Sequence, residues 1–120
     1  MRPRKCRFVR LDPLADFYKP RGVPLRDLEV IELKREELEA LSLADVRRLG
    51  QEESAALMNV SRPTFSRILA QARRSVATAL VTGAALQIRG GDFMHVGEAR
   101  PGGFWPRDTE PGDGPSNDEE

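Results

Sequence analysis

One stretch of the sequence decides the fold. Residues 51–69 read Gln-Glu-Glu-Ser-Ala-Ala-Leu-Met-Asn-Val-Ser-Arg-Pro-Thr-Phe-Ser-Arg-Ile-Leu. Two helices that cross steeply over a tight turn need particular residue types at fixed offsets. Ala55 is small where the second helix would cross the first, and Asn59 tolerates the positive φ that such a turn needs. Ser61 is a preferred N-cap for the second helix. The spacing predicts a helix-turn-helix over residues 51–72.

The second helix of this pair carries the residues that point to a function. Val60 would fill the corner, and Phe65 and Ile68 would face inward. This leaves short polar side chains and arginines on the exposed N-terminal turns, where such groups can reach base edges in the major groove. Later basic and amide side chains would meet phosphates. The predicted DNA-binding residues of the helix are Ser61, Arg62, Pro63, Thr64, Ser66, Arg67, Gln71 and Arg74. A solvated helical hairpin without a ligand is the plainer interpretation.

Apolar periodicity extends the prediction outward from the helix pair. Leu38, Leu41, Val46 and Leu49 lie at helical spacing and predict a first helix over residues 36–49. The helix after Ser61 would run to a C-terminal stop at Gly83. Residues 28–33 and 85–89 alternate and are strand candidates, and residues 6–10 would form a strand if a partner were available. We therefore expect a mainly α-helical fold, a three-helix core with a small β element.

Charge is sorted along the chain although its net value is zero. Residues 1–10 hold five basic and no acidic residues, and residues 54–91 again hold five and none. Residues 11–53 hold eleven acidic against seven basic residues, and residues 92–120 hold eight against two. Basic blocks of this kind suggest an electrostatic footprint for nucleic acid.

The two ends of the chain differ from its middle. Residues 1–10 read as a flexible basic arm, in which Arg2, Arg4 and Lys5 could enter a minor groove beside a major-groove helix, or simply solubilise the chain. Residues 94–120 are rich in Gly, Pro and acidic residues, which predicts a disordered tail. The helix-turn-helix domain would then occupy residues 11–93.

The composition argues against several other classes. One cysteine and one histidine are too few for a Cys/His metal site, so we expect no metal and no cofactor. No hydroxyl or thiol nucleophile has a plausible histidine partner, and the cluster Glu36, Glu37 and Glu39 suits the dipole at a helix start. We therefore do not expect an enzyme. With no membrane-spanning or signal segment in the sequence, we expect a cytoplasmic protein.

The chain also resembles an uncharacterised prokaryotic family of short helix-turn-helix proteins, whose helix pair is similar to region four of sigma factors. The resemblance covers Arg2 to about Phe93 and implies DNA binding by the helix pair. The matching residues are Arg2-Pro3-Arg4-Lys5-Cys6-Arg7, Lys19-Pro20, Gly22-Val23-Pro24, Glu37-Leu38-Glu39-Ala40-Leu41, Leu43-Ala44-Asp45, Gln51-Glu52-Glu53, Val60-Ser61-Arg62, Thr64-Phe65, Arg67-Ile68-Leu69, Ala72-Arg73 and Gly90-Gly91.

These observations favour a transcriptional regulator that binds specific sequences in duplex DNA. We expect a homodimer, because such modules usually reach adequate affinity on two-fold sites. The alternative is a protein-interaction module that docks on the transcription machinery, with RNA polymerase as a possible contact. The acidic tail could in addition fold back on the basic face and inhibit binding.

Overall fold

The computed structural model describes the backbone of residues 6–101 and the side chains as far as residue 97. Within this range the chain forms three α-helices and five strands. The helices are α1 (Arg35–Leu41), α2 (Gln51–Leu57) and α3 (Arg62–Thr82). The strands are β1 (Arg7–Asp12), β2 (Phe17–Tyr18), β3 (Val30–Leu33), β4 (Ala85–Ile88) and β5 (Phe93–Pro101).

The fold is a mixed α/β fold, so the prediction of a mainly α-helical fold was wrong. The strand candidates at residues 28–33 and 85–89 do form β3 and β4, and β1 begins one residue after the predicted start. β2 and β5 were not predicted as strands. β2 has two residues, too few for an alternating pattern, and β5 lies in a segment whose composition indicated disorder.

A three-stranded sheet joins the two ends of the helical region. Its strand order is β2-β4-β3, with β4 parallel to β3 and antiparallel to β2. Neighbouring parallel strands need a long crossover connection, and here all three helices form that connection. Backbone hydrogen bonds from Arg89 N to Leu33 O and from Arg35 N to Gly90 O, both 3.1 Å, continue the pairing past the strand ends. The sheet therefore holds the start of α1 and the end of α3 together.

A second, two-stranded sheet pairs the segments near the two ends of the described chain. β1 and β5 are parallel, with Arg7 opposite Phe93 and Val9 opposite His95, and the register shifts before Leu11. The prediction of disorder was therefore wrong for residues 94–101, which belong to β5. Residues 1–5 of the predicted arm and residues 102–120 of the predicted tail lie outside the described residues.

The first helix is shorter than its apolar spacing predicts. Its α-helical part ends at Leu41, a π-helical turn follows over Ser42–Val46, and Arg48 has a φ of 62°. Val46, which was expected to face the core, is exposed, while Ala40 and Leu43 are buried. The wider π turn rotates the residues that follow it, so a 3.6-residue period does not hold beyond Leu41.

The core has two parts. The helical core is the buried cluster in which α1, the π turn and α2 pack on α3; its members are Ala40, Leu43, Ala55, Met58, Phe65, Ile68 and Leu69. A smaller cluster of Leu33, Ala72 and Ile88 lies where the middle of α3 meets β3 and β4. The first half of α3 is therefore fixed by helices and the second half by the sheet.

Candidate nucleic-acid interface

The turn between α2 and α3 has the geometry that its sequence predicts. Asn59 has a φ of 60°, and Val60 N donates a 3.0 Å hydrogen bond to Ala55 O. Ala55 is buried, and Val60 packs against the helical core. Asn59 is among the few residue types that adopt the left-handed conformation readily, so the chain can reverse here without a glycine. The predicted helix pair is thus present as α2 and α3.

The start of α3 is fixed by a hydroxyl cap. The side chain of Ser61 accepts a 3.3 Å hydrogen bond from Thr64 N, and its hydroxyl lies 3.0 Å from the Thr64 hydroxyl. Pro63 occupies the first turn, where its missing N–H costs no helical hydrogen bond. Arg67 Nη2 donates to Thr64 Oγ1 at 3.3 Å, which draws the guanidinium back towards this end of the helix.

Seven of the eight predicted DNA-binding residues of the helix are exposed. Arg62, Pro63, Ser66, Arg67, Gln71 and Arg74 are exposed along with Ser61, while Thr64 is half-buried. Gln71 Nε2 donates to Ser75 Oγ at 3.3 Å, so this amide is partly engaged within the helix. No carboxylate among the described residues lies within ion-pair distance of Arg62, Arg67 or Arg74. Cationic side chains on this face therefore remain available to an anionic ligand.

Arg73 differs from the other arginines of α3. Its guanidinium forms two hydrogen bonds with the Asp45 carboxylate, at 2.6 and 3.1 Å. This pairing holds the pKa of Asp45 below its ordinary value of 3.8. Asp45 lies in the π turn that follows α1, so the pair ties α3 to the segment behind it. Arg73 is therefore engaged in an exposed ion pair, whereas Arg74, the next residue, is exposed without a carboxylate partner among the described residues.

The predicted arm begins beside the turn. Asn59 Nδ2 donates to Cys6 O at 3.0 Å, and Phe8 N donates to Met58 O at 2.9 Å. Arg10 Nη1 donates to Leu57 O at 2.9 Å, which satisfies a carbonyl at the end of α2. Arg2, Arg4 and Lys5 themselves lie outside the described residues. Cys6, the first described residue, is held next to the start of α3, a contact that no local sequence pattern indicated.

Two buried carboxylates of α1 hold β1 and the loop before β5 in place. Glu36 pairs with Arg7 at 3.0 Å and accepts hydrogen bonds from Asp92 N at 3.2 and 3.3 Å. Glu39 Oε1 accepts from Arg10 N at 2.9 Å and from Leu11 N at 3.1 Å. We call Glu36, Glu39 and these partners the carboxylate clamp. Its acids serve the neighbouring backbone, a role that the helix-dipole interpretation missed.

Gly91 shows how closely the clamp is packed. Its φ is 111°, a conformation that side chains rarely adopt, and a Cβ at this position would overlap Glu36 Oε1. The third acid, Glu37, caps its own helix by accepting from Lys34 N at 3.0 Å. Burial raises the pKa of Glu37, because the surroundings disfavour its charged form. The sequence carried no local signal for this arrangement, because Glu36 and Gly91 are 55 positions apart.

A family model described as a protein of unknown function, DUF134, matches residues 1–96. The chain belongs to this family. This confirms the resemblance to an uncharacterised prokaryotic family, and the description assigns the DUF134 proteins no role. No solved structure matches the chain. Among the described residues, no helix is both long enough and apolar enough to cross a membrane.

Relatives in the DUF134 family carry equally neutral names. The UPF0251 protein of Rhodospirillum rubrum is 57% identical over 90 residues, which cover 75% of this chain and 63% of that protein. The UPF0251 protein of Desulforudis audaxviator is 52% identical over 95 residues, covering 79% and 62%. That of Caldanaerobacter subterraneus is 50% identical over 97 residues, covering 81% and 82%. The chain thus spans less than two thirds of the length of the first two relatives.

Proposed function

We propose that this DUF134 protein binds specific sequences in duplex DNA by placing the first half of α3 in the major groove, and that it regulates transcription. The observation that carries the proposal is the exposed face formed by Arg62, Ser66 and Arg67 on the first turns of α3. An α-helix fits the major groove, and an arginine can bond to both acceptors of a guanine edge. The helix pair behind this face is packed and capped, so the face is rigid.

The charge around this face supports an anionic ligand. Residues 54–91, which include all of α3, contain no acidic residue. Arg74 lies farther along α3 and remains exposed, in a position suited to a phosphate. Asp45, an acidic residue near the middle of α3, is neutralised by Arg73. A DNA backbone brought against α3 would therefore meet unpaired positive charge and no unpaired carboxylate from the helix itself.

The arm adds a second contact to the proposal. Cys6 O accepts a hydrogen bond from Asn59, in the turn just before α3, so the first described residue lies beside the face proposed to enter the major groove. Four extended residues reach about 13–14 Å. Arg2, Arg4 and Lys5 could thus enter the minor groove that flanks the site, where a short basic peptide is attracted by the narrow groove's potential.

The test is selection of bound sequences from a random duplex library across a salt series, with the intact chain and the variants Arg67→Ala, Arg74→Ala and Arg26→Ala. Arg67→Ala should cost about 1–3 kcal/mol on the selected site and relax one base position. Arg74→Ala should weaken all sequences alike and lower the salt slope by about one. Arg26→Ala removes the same charge from the exposed 3₁₀ turn over Leu25–Asp27 and serves as the control.

The alternative function is a module that docks on a protein of the transcription machinery. Binding to phosphates releases counterions and weakens steeply with salt, whereas an apolar protein contact responds little. No enriched motif together with salt-insensitive retention of a protein partner would overturn the proposal and favour this alternative.

A further inference from the structure

The second half of α3 carries a surface unlike that of the first. Leu80 and Val81 are adjacent and are 79% and 84% exposed, so they form an exposed apolar surface on the helix and not a single exposed side chain. Leu80 borders an open apolar groove of about 480 Å³, whose other walls include Tyr18 and Leu86. Ala77 is exposed on the same side of the helix. We call Ala77, Leu80, Val81 and this groove the apolar end of α3.

We infer that the apolar end of α3 is the contact surface for a second copy of this chain, related by a two-fold axis. The inference rests on the proposed function, because it assigns the arrangement in which two copies would present their α3 helices to one DNA site. Contiguous exposed apolar surface commonly marks an interaction site. The absence of charge in this part of the chain and the length of α3 indicate that the occupant is a second copy.

The charge pattern favours self-association. On a two-fold axis the same patch faces itself, so any charge within it meets a like charge. Residues 75–88 contain no charged residue, although 32% of the whole chain is charged. The one cation at the groove, Lys19, donates to Val23 O at 2.7 Å and so is directed at its own loop. Arg74 borders Ala77 and Val81 but does not line the groove, so the part of the patch around Leu80 and the groove can pair with its copy without repulsion.

The same pattern argues against other occupants. A partner protein of different composition is usually selected by complementary charge, which this patch lacks. A small ligand is usually oriented by a few polar groups that converge in its pocket. Among the described residues that line this groove, the ammonium of Lys19 already bonds to its own loop, and the remaining side chains apart from Tyr18 are apolar.

The length of α3 fits the spacing of a two-fold DNA site. Arg67 and Leu80 are separated by thirteen residues of continuous helix, which is about 20 Å along the axis. Two α3 helices that met antiparallel near Leu80 would place their Arg67 residues about 39 Å apart. If the helices crossed at about 50° from antiparallel, the distance would be about 35 Å. Successive major grooves on one side of B-DNA are about 34–36 Å apart.

The experiment measures the mass of the full chain by sedimentation equilibrium without DNA, over the micromolar range. The variants are Leu80→Lys and Val81→Lys, with Leu14→Lys as the matched control, since Leu14 is 82% exposed but lies away from the groove. Lysine suits the C-terminal end of a helix, so the α3 variants should fold, which circular dichroism checks. We expect a dimer for the intact chain and the control, and a dissociation constant raised at least about a hundredfold in both α3 variants.

A monomeric intact chain would overturn the inference, and so would a dimer that both α3 variants leave unchanged. Binding of the variants to a duplex with one half-site is measured separately. Monomeric variants that still bind the half-site would keep both proposals. A dimeric intact chain that binds no DNA would contradict the proposed function but support the dimer surface. A monomeric intact chain that binds DNA would contradict the dimer surface but support the proposed function. On the intact duplex, dimeric protein should select two half-sites in inverted orientation, about 10 base pairs apart.

Discussion

The helical core and the carboxylate clamp hold the same helix, α1, by opposite means. On one side, Ala40 of α1 and Leu43 of the π turn that follows it are buried against apolar side chains of α2 and α3. On the other side, Glu36 and Glu39 are buried against backbone N–H groups and one arginine. Apolar burial is non-directional and proportional to area. The clamp depends on a few directed bonds, so a single substitution should affect it locally.

The largest effect is expected in the helical core. Phe65→Ala should lower the free energy of unfolding by about 3–5 kcal/mol, because Phe65 is fully buried and the cavity would be bordered by both other helices. Urea denaturation measures the loss, and Leu14→Ala, at an exposed position, should change little. Loss of β1 alone, with α2 and α3 intact, would contradict the idea that the helical core is the centre of stability.

The next effect concerns the clamp. Glu39→Leu keeps most of the volume but leaves Arg10 N and Leu11 N without their acceptor, which should cost about 2–4 kcal/mol. Glu39→Gln retains an acceptor oxygen and should cost less. Amide hydrogen exchange is the decisive measurement: in the leucine variant, β1 should exchange faster while α3 keeps its protection. Uniform loss of protection would show that the clamp and the helical core unfold as one unit.

One substitution, at a buried hydroxyl of α2, is expected to increase stability. Ser54 in α2 is completely buried, and its Oγ has no hydrogen-bond partner among the described residues. Ser54→Ala should raise the free energy of unfolding by about 1 kcal/mol, since an unpaired polar group is removed. Ser75→Ala is the matched control, because Ser75 is buried but accepts from Gln71, and this variant should lose stability. Equal effects of the two variants would contradict this reasoning.

The smallest effect is expected at the exposed pair of Asp45 and Arg73. Asp45→Asn should cost no more than about 1 kcal/mol at neutral pH, because both side chains are partly solvated. Since the pKa of Asp45 is lowered in the fold, the stabilisation is present above its ordinary pKa of 3.8 and is lost as the pH falls through the lowered value. Intact and variant chains should therefore converge in acid. Urea midpoints at pH 7 and in acid, at two salt concentrations, test this.

The sequence predicted the region in which neighbours along the chain contact each other. The turn at Asn59, the cap at Ser61 and the inward face of Phe65 and Ile68 all depend on residues within a few positions. The parallel pairing of β1 with β5 depends on residues more than 80 positions apart, so no local period reveals it. The same holds for the clamp: Glu36 needs Asp92 N, 56 residues away.

For the candidate site, the sequence predicted which residues of α3 are exposed. It predicted less well the contacts that hold these residues and the helix in place. Arg62, Ser66 and Arg67 lie on the exposed face as expected. The pairing of Arg73 with Asp45, the tie between Asn59 and Cys6, and the apolar end of α3 were not predicted. The first two depend on where α1 ends and how β1 crosses the turn, and the third depends on how much of α3 the rest of the fold covers; all three are consequences of tertiary packing.

Because α3 is one uninterrupted helix of 21 residues, its two ends move together. The helix would tilt about Ala72, which packs against β3 and β4, and its N-terminal turns, next to the α2–α3 turn, would move. A tilt of about 10° about Ala72 would displace Arg67, which lies about 7.5 Å from it along the helix axis, by roughly 1.3 Å. Because a hydrogen bond to a base edge weakens when its length changes by a few tenths of an ångström, a shift of this size is enough to make or break one.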